Sequence, residues 1–200
     1  MARVSTPEFW EGLYATGGDG WDLGQPAPPL RDLIDSTPLP RGRVAVPGCG
    51  RGHDARFLAA RGYDVVGFDF SPAAITAARS LAKQDRVDVT FEQRDIFTLG
   101  RDYAHAFDGV WEYTCFCAID PARRDAYVRT IATILKPGGW LLACFFPMRR
   151  VAAGPPFPVS EAEVRRRLGP RFRLERAQPP LRSAHRRQGR EWLVLARYLG

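Results

Sequence analysis

Between residues 43 and 146 the chain alternates short apolar runs with longer stretches whose apolar positions recur at helical spacing. Arg43-Val44-Ala45-Val46 reads as a strand stopped by Pro47-Gly48. Asp54 to Arg61 is apolar at 55 and at 57–60 and is followed by Gly62, the mark of a helix with a glycine C-cap. Asp64 to Asp69 predicts a second strand, and Ser71-Pro72 opens a helix to about Ala82 with proline at its first position. Val87 to Phe91 alternates as a third strand, and Phe107 to Trp111 forms a fourth. Asp120-Pro121 starts a helix that runs to Leu135. Lys136-Pro137-Gly138-Gly139 breaks it, and Trp140 to Phe146 is a nearly continuous apolar strand. The tail predicts a helix over 160–168 and strands over 172–174 and 191–198.

Strands alternating with helices of ten to fifteen residues imply βαβ units around a buried, mostly parallel sheet. The expected fold is α/β: Rossmann-like and doubly wound, a mostly parallel seven-stranded sheet with helices on both faces and an N-terminal helical lid. Residues 1–200 read as one domain.

Composition narrows the class without naming a chemistry. At 45% hydrophobic and 26% charged residues, the 200-residue chain is that of an ordinary globular protein, long enough to need no metal or disulfide staple. No apolar run approaches the length of a membrane span, and Met1 to Ser5 lacks a signal peptide's apolar region. Cys49, Cys115, Cys117 and Cys144 have neither zinc nor disulfide-scaffold spacing, which points to reduced thiols in a cytoplasm. His53, His105 and His185 form no ligand motif, so no metal is expected. The net charge is +7, and 27 of the 29 basic residues are Arg. From residue 149 onward 13 Arg face four Glu, a net of +9, whereas the first 148 residues carry −2. Such a tail suggests either a nucleic-acid partner or Arg-rich solvated faces.

The chemistry concentrates at three predicted strand ends. Val46-Pro47-Gly48-Cys49-Gly50-Arg51-Gly52-His53-Asp54 joins the first core strand to its helix, and its glycines let the backbone approach a ligand. The spacing is G-x-G-x-G with no Walker lysine, so pyrophosphate binding is not indicated. Asp69 ends the second strand, 21 residues after Gly48, where a carboxylate can accept both ribose hydroxyls of a nucleoside. A helix N-cap is the structural alternative for Asp69. Asp95 and Ile96 follow the third strand; the acid suits an adenine amino group and Ile96 the ring face. Glycine loop, acid and acid in that order point to a nucleoside cofactor without a phosphate requirement, S-adenosylmethionine.

With Phe107-Asp108-Gly109-Val110 and Leu135-Lys136-Pro137-Gly138-Gly139, these residues resemble the motif series of class I S-adenosylmethionine-dependent methyltransferases. More narrowly the chain resembles the thiopurine S-methyltransferase superfamily and, within it, thiol and halide (thiocyanate) methyltransferases. The residues that carry this are Trp21 to Gln25, Val46 to Gly50, Gly52-His53-Asp54, Tyr113 to Ile119, Phe146-Pro147 and Gly154-Pro155-Pro156, with Gly189-Arg190-Glu191 a looser match. Coverage runs from about Phe9 to Ser160, and the resemblance implies a lid segment over 1–40, a cofactor-binding core over 41–148, and a substrate-side loop and C-terminal strands over 149–200.

The resemblance implies that Trp10, Tyr14 and Trp21 close over the cofactor's methionine end; on a helix the three would share one face. Aromatic faces attract a desolvated cation by ~0.5–2 kcal/mol, which suits a sulfonium. Tyr14 stands where plant members carry Trp, and Glu112-Tyr113 follows the fourth strand where many relatives place Asp. The cofactor-contact set is therefore Trp10, Tyr14, Trp21, Gly48, Gly50, Asp69, Asp95, Ile96, Glu112 and Tyr113. The expected reaction is in-line methyl transfer from S-adenosylmethionine, leaving S-adenosylhomocysteine, to a thiol, sulfide, thiocyanate or halide. No general base is assigned. Arg149 and Arg150, after the fifth strand, are candidates for holding an anionic acceptor. The alternatives are O- or N-methylation of a small metabolite, or a non-catalytic cofactor-binding protein whose tail contacts nucleic acid. The missing Asn/Asp-Pro-Pro-Tyr motif weighs against nucleic acid. A cytoplasmic monomer with a small-molecule acceptor and no membrane partner is the expected setting.

Overall fold

A computed structural model describes residues 3–37, 39–148 and 154–200. Its strands are β1 (Arg43–Pro47), β2 (Asp64–Asp69), β3 (Thr90–Gln93), β4 (Phe107–Tyr113), β5 (Leu135–Phe145), β6 (Phe172–Gln178) and β7 (Trp192–Tyr198). They form one sheet in the order β3-β2-β1-β4-β5-β7-β6. β1 to β5 pair in parallel, and β7 runs antiparallel between β5 and β6. The chain leaves β1 toward β2 and β3 on one side and returns to β4 and β5 on the other. The carboxyl ends of β1 and β4 therefore flank a switch point, where open α/β sheets bind ligands.

The helices are α1 (Pro7–Ala15), α2 (Pro28–Ser36), α3 (His53–Ala59), α4 (Pro72–Asp85), α5 (Leu99–Asp102), α6 (Cys115–Ala118), α7 (Arg124–Ile134) and α8 (Glu161–Leu168). The two-residue period of the strands divides the core between the sheet faces. Val44 and Val46 pack with Leu30 and Leu33 of α2, Leu58 of α3 and Ile75 of α4. Ala45 and Leu141 face the other way, toward Tyr127 and Ile131 of α7 and Val164 of α8. Helices thus cover both faces, as the alternation requires.

Several boundaries differ from the sequence reading for identifiable reasons. β3 starts at Thr90 rather than Val87, because α4 runs on to Asp85 and closes through Arg86 at φ +56° and a bond from the Val87 N–H to Ala82 O. The 120–135 helix begins as a 3₁₀ turn at Pro121–Arg123, capped by Asp120. Lys136 to Gly139 is not a break between separate elements. β5 begins at Leu135, opposite Phe107, and absorbs the proline and glycines as an irregularity before Trp140 pairs with Gly109. That pairing needs Gly109, since a Cβ there would lie 2.0 Å from Trp140 Cε2.

Candidate active site

The glycine loop leaves β1 with positive φ at Gly48 (63°) and Gly50 (54°), which L side chains rarely adopt. Its N–H groups are aimed at β2: Cys49 donates to Phe68 O (2.9 Å), and Gly50 donates to Asp69 Oδ2 (2.9 Å). Asp69 Oδ1 accepts from Ser71 N (3.0 Å), and the carboxylate is only 8% exposed. Burial raises its pKa, while the Ser71 and Gly50 N–H groups act in the opposite direction. Asp69 is not the N-cap of α4. That role belongs to Ser71, which accepts from Ala74 N and donates its hydroxyl proton to Glu11 of α1.

A cavity of about 570 Å³ opens beside this loop. It collects Gly48, Gly50 and Asp69 from β1 and β2, and Asp95 and Ile96 from the turn after β3. Asp95 is exposed, with Oδ1 accepting from Phe97 N (3.0 Å), and Ile96 is a buried floor residue. The chain segment before β1 supplies a wall of Trp10, Tyr14 and Trp21. These three do not share one helix. α1 ends at Ala15, and Trp21 returns from a loop to meet Trp10 and Tyr14 edge-on at centroid distances of 5.3 and 5.5 Å. Burial and the nearby Asp69 carboxylate push the Tyr14 hydroxyl's pKa up, so it stays protonated.

The Trp21 loop is clasped to the glycine loop by charge. Asp22 Oδ2 accepts from Arg51 Nη1 (2.9 Å), and Asp22 Oδ1 accepts from Gly24 N (2.7 Å) and lies 3.1 Å from His53 Nε2. Arg51 also pairs with Asp19 at 2.5 Å. Burial opposes ionisation of Asp22, but His53, the Gly24 N–H and Arg51 outweigh it and bring the pKa down to about 2.

Glu112 does not reach the cavity. Its side chain turns into the core at 2% exposure, where it accepts from Phe116 N (2.9 Å) and from the Tyr127 hydroxyl. Burial raises its pKa to about 7. It braces the β4–α6 turn, and the turn itself, at Thr114 (φ +65°) and Cys115, supplies the cavity wall. Tyr113 instead borders a recess of about 70 Å³ that it shares with Trp21, His53 and Asp54. Its hydroxyl donates to Glu191 Oε1 (2.6 Å). Arg149 and Arg150 lie outside the described residues.

The far wall of the cavity comes from Cys115, Cys117, Phe146, Pro155 and Pro156, with Arg186, Arg187 and Arg190. Burial raises both thiol pKa values, that of Cys117 to about 12, so they stay neutral. Among the described residues, no histidine lines this cavity, and no group of three His, Cys, Asp or Glu side chains converges as a metal site.

The sequence profile of thiopurine S-methyltransferases matches residues 5–194. The chain belongs to the thiopurine S-methyltransferase family. It is 37% identical over 165 residues to the probable thiol methyltransferase 2 of Arabidopsis thaliana, covering 80% of this chain and 71% of that protein. It is 37% identical over 153 residues to thiocyanate methyltransferase 1 of Brassica oleracea, covering 76% and 67%. Its fold matches a solved structure from work on conversion of a disulfide bond into a thioacetal group during echinomycin biosynthesis. There the TM-score is 0.76, the identity 26%, and the coverage 90% of this chain and 84% of that one. The protein is an S-adenosylmethionine-dependent methyltransferase.

The residues present fit that cofactor. A Cβ on Gly48 would lie 2.9 Å from Cys115 Sγ, and one on Gly50 would come within 3.4 Å of Tyr14 Oη, so the loop must present bare backbone to the cavity. A buried carboxylate and an aromatic wall stand on either side of it. Sequence reasoning missed the far wall. Tyr113 to Ile119 and Phe146-Pro147 were visible only as family-like segments, and the tail arginines read as solvated surface. Nothing in a run such as His185-Arg186-Arg187 distinguishes one inward-facing arginine from its neighbours.

Proposed function

We propose that this enzyme methylates a small, soft nucleophile, a thiol, hydrosulfide, thiocyanate or halide, held against the far wall of the cavity. When bound, S-adenosylmethionine supplies a methyl group on a sulfonium, already activated for displacement. Asp69 is suited to the ribose hydroxyls, Asp95 and Ile96 to the adenine, and Gly48 and Gly50 to close backbone contact. Trp10, Tyr14 and Trp21 form a face for a cation and exclude water from it. Glu112 and Tyr113 support this site from behind it.

The carrying observation is the absence of a base among the described cavity residues on the acceptor side: the thiols there are neutral, and the cavity's carboxylates, Asp69 and Asp95, belong to the β2 and β3 ends. Among the described residues an acceptor that must lose a proton in the transition state finds no help, while one already ionised needs only positioning. The decisive assay supplies S-adenosylmethionine with iodide, thiocyanate, hydrosulfide or a thiol and measures the methylated product. Turnover restricted to organic hydroxyls or amines overturns the proposal in favour of O- or N-methylation.

A cytoplasmic monomer acting on small molecules is the setting we infer. Four free cysteines support the cytoplasmic part of that reading. Arg186 and Arg187 are also engaged with the Trp21 loop, which leaves fewer tail arginines for nucleic acid.

A further inference from the structure

The far wall of the cavity is placed by residues that stand behind it. Cys115, Cys117 and Ala118 of α6 and Pro155 and Pro156 of the segment before α8 belong to that wall. α6 spans four residues, with a bond from Ile119 N to Cys115 O (3.2 Å) across it. So short a helix has little stability of its own, and its position is set by what grips it. Two buried side chains of opposite charge hold the backbone of Phe116. Its N–H donates to Glu112 Oε1 (2.9 Å), and its carbonyl accepts from Arg124 Nε (3.3 Å). The Phe116 ring centre lies 4.7 Å from the Arg124 guanidinium carbon, and the ring is buried in the core, while its neighbours Cys115 and Cys117 line the cavity.

Arg124 also reaches the other half of the wall. It is 1% exposed, stands outside the cavity lining, and directs its Nη groups at the 157–163 stretch. Nη1 donates to Pro158 O (3.0 Å) and pairs with Glu163 Oε2 (2.9 Å), and Nη2 donates to Phe157 O (3.3 Å). Phe157 N donates in turn to Cys117 O (2.7 Å), which closes a ring of contacts between α6 and the Pro155-Pro156 segment. Glu163, in the first turn of α8, is itself held by Arg167 Nε (2.9 Å). A planar guanidinium serving three carbonyls and a carboxylate is a geometry that a lysine ammonium reproduces only in part.

We propose that Arg124 is a positioning residue for methyl transfer: by tying α6 to the 155–158 segment it sets the width of the cavity at the far wall, and so how firmly a small acceptor is held. The inference rests on the reading above that the acceptor meets this wall. In-line displacement needs a well-placed acceptor atom, and a misplacement of about 1 Å costs about a hundredfold in rate. A small acceptor depends on the position of the one wall it touches, whereas a bulky one is placed by several. Releasing the clamp therefore penalises small acceptors more.

The test compares Arg124→Gln and Arg124→Lys with the wild type in two ways. In the first, iodoacetamide labels the folded proteins, and peptide mass mapping follows each cysteine. Cys115 and Cys117 should react at least tenfold faster in Arg124→Gln, with Arg124→Lys in between. Cys144, buried in the core on the other face of the sheet, should keep the wild-type rate. Loss of the Arg124 charge by itself would slow Cys117, because that charge favours its thiolate, so acceleration reports access. Unchanged labelling overturns the proposal, and so does equal acceleration at Cys144, the sign of general loosening. In the second, kcat/KM is measured with thiocyanate and with thiophenol. The thiocyanate-to-thiophenol ratio should fall at least fivefold in Arg124→Gln and recover in part in Arg124→Lys. A variant that merely folds less well loses both activities alike, so an unchanged ratio overturns the proposal. Should Arg124→Gln not fold, Arg124→Lys carries both comparisons with the same signs. If the wild type methylates neither acceptor, the soft-nucleophile reading fails, and the labelling still decides whether Arg124 sets the wall.

Discussion

Asp69 and Glu112 are both acids at the carboxyl ends of parallel strands, and their surroundings give them opposite work. Asp69 stands at the cavity with two backbone N–H partners. Replacing it with Ala should weaken S-adenosylhomocysteine binding by about 1–3 kcal/mol, as for a lost hydrogen bond to a charged group; calorimetry that finds the Kd unchanged would place the ribose elsewhere. Glu112 is sealed in the core with its pKa raised to about 7 from an ordinary 4.5. Between those values the folded chain keeps a proton that the unfolded chain has released, so Glu112 makes stability fall as pH rises through that window. The Glu112→Gln variant removes this titration. Relative to wild type it should gain about 3 kcal/mol between pH 4 and pH 8, read from urea melts at both. Parallel pH dependence in the two proteins would show that Glu112 ionises freely.

At the scale of elements, the β1–α3 turn is defined by what its glycines exclude. Gly52 has φ +73°, and a Cβ there would lie 2.6 Å from Phe91 Cζ on β3 and 3.1 Å from Ala78 Cβ on α4. The turn is thus wedged between a strand and a helix that follow it in sequence. Gly52→Ala should cost more than about 1 kcal/mol from backbone strain alone, with the clash adding to it, and thermal unfolding measures the sum. An unshifted melting temperature would mean that Phe91 yields freely. The periodicity of residues 43–146 revealed most of these elements, since strand alternation and helix stop signals are local. It misjudged Lys136 to Gly139, where proline and glycine normally break structure, because pairing with β4 draws Leu135 into the sheet first. Ahead of that region, the spacing of Trp10, Tyr14 and Trp21 would put them on one face of a helix; the structure brings the three rings together, but Trp21 arrives from a loop after α1 ends at Ala15.

Across the whole molecule, the two ends of the chain meet over the switch point. Trp21 O and Asp22 O accept from Arg187 and Arg186, while the Asp22 carboxylate clasps Arg51 and His53 of the glycine loop. Cofactor binding should tighten this assembly. S-adenosylhomocysteine at 100 times its Kd stabilises by about 2.7 kcal/mol, or roughly 5–10 °C in melting temperature for a chain of this size. In Asp22→Asn, which loosens the clasp, the shift at the same ligand concentration should be smaller. An equal shift would show that the Trp21 loop contributes nothing to the bound state.

Read alone, the sequence determined the α/β alternation, the glycine loop and the acids at successive strand ends, because each is written in neighbouring residues and in short-range periodicity. Only the tertiary structure decided which groups face the cavity. Glu112 turned inward because β4 is buried on both faces, whereas Arg187 turned toward the cavity because β7 runs antiparallel beside β5 and returns the tail to the carboxyl end of the sheet. Thirteen arginines of similar local character follow residue 148. What separates Arg187 from the others is a contact with Trp21, 166 positions away, which no local pattern records.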